Sequence, residues 1–214
     1  MLTLIGFGLL SWLVSFPAQE VPWDSEPSLN YHLTLPDGRK VPVQIGEPVE
    51  LPTPQDSTTV TLSVDSHRTF DRAGVRFRYP AAFRWEAERE LPVTTYTMEG
   101  VEVLLLVQVY PESSEPESFR DVWIDAVTAQ YAEQGGETER ESIRWKLGKR
   151  MRSATRLTTK LGDLTILADV VTLEGADSSI LLVFQDILEE GESFSAEGQE
   201  TRKFLESTFE QAEQ

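Results

Sequence analysis

The sequence predicts an α+β domain, a mostly antiparallel β-sheet flanked by helices and preceded by a small β-hairpin module. Three observations carry that prediction. From about residue 70, apolar residues alternate with period two through successive short runs separated by glycine-bearing turns. Two stretches, 116–136 and 195–211, change to helical spacing. Neighbouring strand signals are joined by tight turns, which makes their pairing antiparallel and requires the helices to cover the faces of the sheet.

The chain opens with "MLTLIGFGLLSWLVSFPAQE", in which residues 2–18 are uncharged and almost wholly apolar. A run of that length is marginal for a membrane span, which needs about 20 apolar residues, and suits a signal-peptide core. The first basic residue is Arg39, while Glu20, Asp24 and Glu26 come directly after the run. Charge asymmetry of this sense favours a cytoplasmic N-terminus with the remainder translocated. Residues 1–19 are therefore read as a cleaved signal peptide or a retained N-terminal anchor. Either places the bulk of the protein outside the cytoplasm, in the periplasm or secreted. Residues 20–28, polar and proline-bearing, read as a linker, and Trp23 within them has no packing partner that sequence can name.

Residues 29–66 read as a small β module. Tyr31, Leu33 and Leu35 alternate with polar residues, Asp37-Gly38 supplies a turn, and Val41, Val43 and Ile45 alternate on the return. Pro42 lacks an N–H and marks an edge strand. Val60, Leu62 and Val64 give a third strand. The module is too short to hold a core alone and must lean on the main domain.

That main domain spans 70–212. Its first strand, at 74–79, alternates Val75, Phe77 and Tyr79 with Arg76 and Arg78, and Pro80 turns the chain into a strand near 83–87. "VTTYTM" and "VEVLLLVQVY" form a hairpin, the second strand apolar on both faces at its centre, as a central strand should be. In the first helix, Phe119, Val122, Trp123, Ala126, Val127 and Tyr131 form the expected apolar stripe, and Gly135-Gly136 closes it. Strands at "ESIRWKL", "RSATRLTTKL", "LTILADVVTL" and "SSILLVFQDIL" come next. A C-terminal helix carries Phe204, Leu205 and Phe209, capped by Ser193 or Ser195, with Gly198 unfavourable in its first turns.

In "GVRFRYPAAFRW", "SFRDVWIDAVTAQY" and "GKRMRSATRLTTKLGDLTILADVV", and then "FLESTF", the order of elements resembles the Mog1/PsbP-like fold, including its DUF1795-type proteins. The resemblance covers roughly residues 70–212 and rests on element order. It implies an α/β/α sandwich, an antiparallel sheet between helices. The family contains photosystem II extrinsic subunits, a Ran-binding nuclear transport factor and bacterial chaperones for secreted effectors, mostly scaffolds that bind proteins. It carries over no functional residue.

Catalytic and metal-binding constellations are thin. Cysteine is absent, and the only histidines, His32 and His67, both precede the main domain. Neither a Ser-His-acid relay nor a histidine metal site assembles within it. No nucleotide, zinc-protease or calcium-loop motif is present, and the acidic loop of Glu189, Glu190 and Glu192 lacks the spacing of a calcium site. The expectation is a non-enzymatic protein with no cofactor or metal.

Charge says more. The chain carries 36 acidic and 19 basic residues, a net charge of −17, which argues against nucleic acid as a partner. Yet residues 140–160 hold eight cations against Glu141 alone, and Arg68, Arg72, Arg76, Arg78 and Arg84 add five more. One reading is that these arginines pair with glutamates of the overlying helices. The other is that Arg76, Arg78, Arg150 and Arg152 meet on one face or edge and bind another protein, an acidic one. A small-ligand or enzymatic pocket between sheet and helix, and a membrane-tethered envelope component, stay open beside the scaffold reading.

Overall fold

The computed structural model describes residues 22–49, 59–111, 116–175, 177–189 and 193–212. The expected leader lies outside them, as do Glu190 and Glu192 of the acidic loop. Within them the molecule is α+β and mostly antiparallel. Three short strands, β1 (Tyr31–Thr34), β2 (Lys40–Val43) and β3 (Thr61–Val64), form the module's sheet in the order β2-β1-β3. Two further strands, β4 (His67–Arg72) and β5 (Val75–Pro80), form a ribbon.

The large sheet begins with β6 (Arg84–Glu90), β7 (Val93–Glu99) and β8 (Val103–Pro111). Helix α1 (Pro116–Glu133) then leads into β9 (Glu137–Leu147), β10 (Arg150–Leu161), β11 (Leu164–Glu174) and β12 (Ser178–Ile187). These seven strands pair in the order β6-β7-β8-β12-β11-β10-β9. Helix α2 (Ala196–Thr208) and a last strand, β13 (Glu210–Gln211), close the chain, and β13 joins the ribbon on the free side of β5.

Alternation along β11 and β12 sorts the core into two halves. Leu182 and Phe184 meet Phe70, Phe77, Tyr79 and Leu205, so the ribbon and α2 cover one face of the sheet. Leu181 and Val183 meet Ile124 and Val170, so α1 covers the other. Burying each large apolar side chain stabilises the fold by about 1.5–3 kcal/mol, which is why the two central strands are apolar on both faces.

Four local expectations change. The buried residue of α1 is Ile124, whereas Val122 and Ala126, placed on the stripe from sequence, are exposed. The helix is rotated because Ile124 fills the space over β11 and β12. His67, placed before the expected main domain, starts strand β4, and Ala73 and Gly74 both take positive φ in the hairpin after it, as a two-residue hairpin turn demands. Of the two serines offered as caps, Ser195 caps α2, its hydroxyl accepting from the Gly198 N–H. Gly198 is a requirement rather than a fault, since a Cβ there would lie 2.1 Å from the Asp186 carboxylate.

Residues 22–28 are seated on the main body. The Trp85 indole N–H donates to the Asp24 carbonyl at 3.0 Å, and the Arg89 guanidinium lies 4.2 Å over the Trp23 ring. Arg68 donates to the Pro27 carbonyl at 2.6 Å and pairs with Glu26 at 2.9 Å. Among the described residues no helix is long and apolar enough to cross a membrane.

Candidate functional site

Strand β13 organises the four arginines singled out from sequence. Its register sets Glu210 opposite Arg76 and Gln211 opposite Val75. Because neighbouring residues in a strand face opposite ways, Glu210 lies beside Arg76 on the outer face while the Gln211 side chain turns inward. There its carboxamide accepts from Arg152 at 2.5 Å and donates to the Glu174 carbonyl at 2.6 Å. Arg76 and Arg78 therefore stand outside β13 and Arg152 inside it. The four do not share one sheet face.

They do line neighbouring grooves that share residues. Arg150 and Arg152 line a groove with Leu173 and Gln211, and the next with Lys149, Ser207 and Glu210. Ser207 and Glu210 recur in the third groove, beside Arg76, Arg78 and Thr208. Arg78 recurs in a cleft of about 830 Å³ between the small module and the ribbon, lined also by Tyr31, His32, Asp65 and Arg68. Six arginines and lysines line these grooves against three lining carboxylates, Asp65, Glu174 and Glu210, with Glu26 and Asp71 reaching Arg68 and Arg76 from beside them. The sign of the charge is thus opposite to that of the chain as a whole.

The cations differ in how they are held. Arg76 reaches Asp71 at 3.8 Å, with both side chains more than half exposed, and such a pair is worth at most about 1 kcal/mol. Arg78 is fixed by its backbone, whose N–H donates to the Thr208 hydroxyl at 2.9 Å. Among the described residues no carboxylate pairs with its guanidinium. Burial lowers the pKa of Arg152, and neighbouring Arg150 lowers it further.

Other cations from the same stretches are committed elsewhere. Arg140 donates to Asp121 of the overlying helix α1 at 2.8 Å. Arg156 makes a two-pronged contact with fully buried Asp169, at 2.7 and 2.8 Å, and Arg202 of α2 closes on the same carboxylate at 2.7 Å. The hydrogen bonds to Asp169 raise the pKa of Arg156 despite its burial.

Two features of the site escape sequence reasoning. Strand β13 has only two residues and no alternation to announce it. The histidines, both placed before the expected main domain, both reach Asp65, His32 at 3.0 Å and His67 at 3.7 Å. Among the described residues no group of three or more histidine or carboxylate side chains is arranged to hold a metal ion. Comparison with protein-family models and with curated proteins finds no match for this chain.

Proposed function

We propose that this chain is an exported, non-enzymatic scaffold that binds an acidic segment of another protein along the arginine-lined path. In this reading residues 70–212 form a Mog1/PsbP-like α/β/α sandwich, and the apolar leader directs export or tethers the protein to the envelope. One observation carries the reading. The four arginines drawn from sequence fall along one chain of grooves where cations outnumber carboxylates, on a protein of net charge −17. Charges so arranged select a partner by complementarity and repel most others. An extended segment suits the shape, because neighbouring grooves share lining residues.

The test is a titration of the full chain with a fluorescent oligoaspartate peptide, read by anisotropy. The chain as a whole repels such a peptide, so saturable binding must come from a local cationic site. Binding that weakens with salt and falls at least tenfold (about 1.4 kcal/mol) in Arg76→Glu/Arg78→Glu is expected. No saturable binding, or equal binding by the variant, would refute the reading. A second reading, a small-ligand protein, draws on the cleft alone, whose volume lies in the range of ligand pockets. It requires that charge reversal at Lys149, outside the cleft, leave binding unchanged.

A further inference from the structure

Resting on the acidic-partner reading, we infer that the cleft is the path's proton-regulated end, an anion pocket that takes a carboxylate group when His32 and His67 are protonated. The chain has only two histidines, and both end on one carboxylate. They come from different units. His32 lies in β1 of the small module, His67 opens β4 of the ribbon, and Asp65 sits on the short connection between them. The module closes down here, since the Asp65 N–H donates to the Asn30 carbonyl at 2.9 Å and the Ala81 N–H to the Ser66 carbonyl at 2.9 Å.

The charged groups facing this trio are few. Across the cleft, Arg68 has its charge matched by Glu26 at 2.9 Å, which leaves Arg78 of β5 as the cation that shares the cleft with His32 and Asp65. Behind His67, α2 presents the Phe204 ring at 5.6 Å, and across the ribbon stands Pro80, neither of which carries charge. With both histidines neutral, the cleft's charges not matched elsewhere are Arg78 and Asp65, one of each sign. A proton on His32, which lines the cleft, and one on His67, which reaches Asp65 from outside it, turn that balance positive. Histidine is the side chain whose charge ordinarily changes between about pH 5 and pH 8, whereas aspartates of a bound segment stay ionised throughout that range. The pocket's attraction for a carboxylate therefore rises toward acid pH.

The experiment measures oligoaspartate binding by the full chain at about pH 5.5 and about pH 8. Wild type is expected to bind about tenfold more tightly at the acid end, and His32→Gln/His67→Gln to stay within about twofold across the range. Asp65→Asn supplies an independent arm. Without the opposing carboxylate it should bind more tightly than wild type at about pH 8, which a role confined to holding the module in place does not produce. Wild-type binding that is flat with pH would overturn the regulation and leave the acidic-partner reading standing. A double variant that keeps the acid tightening, or Asp65→Asn that binds no better, would also overturn it. No peptide binding at either pH would remove both.

Discussion

Arginine is half-buried against a buried carboxylate in one region of this molecule and displayed in another, and the two regions show what separates an architectural cation from an available one. At the centre of the sheet, Asp169 has no exposure, and Arg156 and Arg202 converge on it at 2.7–2.8 Å, with Glu206 at 3.0 Å holding the second arginine. Every charge there has a partner, so the cluster joins β10, β11 and α2. Around β13, Arg76 has one loose, exposed partner, and Arg78 has no carboxylate among the described residues. Burial forces pairing because an unpaired charge in a low-dielectric interior is costly. At the surface water supplies the pairing, and the cation stays free to bind something else.

The largest effect should come from breaking the buried cluster. Asp169→Ala strands two partly buried guanidinium groups and is expected to cost about 3–5 kcal/mol in denaturant unfolding. A loss under about 1 kcal/mol would mean that the cluster behaves as a surface pair and that the contrast has no energetic basis.

Next comes the seat of β13. Gly148 has φ +56°, and a Cβ there would lie 2.0 Å from the Phe209 carbonyl oxygen. Gly148→Ala should therefore cost about 2 kcal/mol or more and loosen residues 209–211, seen as faster amide exchange on Gln211. Unchanged exchange would show that β13 does not depend on this close approach.

A smaller effect, with a defined sign, concerns Asp186. Its carboxylate accepts from the Ser195 hydroxyl at 2.7 Å and the Ser195 N–H at 3.0 Å, tying α2 to β12. Burial pushes its pKa up, against the pull of those bonds. A group raised in the folded state contributes stability that is fullest below its unfolded value and is lost as pH rises through the folded one. Wild type should thus lose stability relative to Asp186→Asn as pH climbs from about 4 toward neutrality. Matched denaturation curves across that range check this, and a gap moving the other way would contradict it.

The smallest expected change in stability belongs to the displayed arginines. Arg76→Glu/Arg78→Glu should shift unfolding by no more than about 0.5 kcal/mol. A large loss would place these side chains with the architectural ones.

Sequence carried much of this fold because its strands alternate cleanly and its turns bear glycine. The arginines of β5 were legible for the same reason, since alternation alone sends Arg76 and Arg78 away from Phe77. What sequence hid was tertiary. The meeting of His32 and His67 on Asp65 depends on how the module folds back on the ribbon, which no local period encodes. Strand β13 is held by Gln211 and the approach at Gly148 rather than by any pattern of its own. The rotation of α1 was set by the hole that Ile124 fills, a property of the sheet beneath it.

The central claim is that one path joins the two arginine pairs, and the most direct measurement reverses charge at each end separately. Oligoaspartate binding would be compared for wild type, Arg76→Glu/Arg78→Glu and Lys149→Glu/Arg150→Glu, each verified as folded by its unfolding midpoint. If one segment spans the path, both variants lose affinity, and their combined loss matches the sum of the single losses within about 0.5 kcal/mol. Loss confined to one variant, with the other binding as wild type does, would contradict a continuous site.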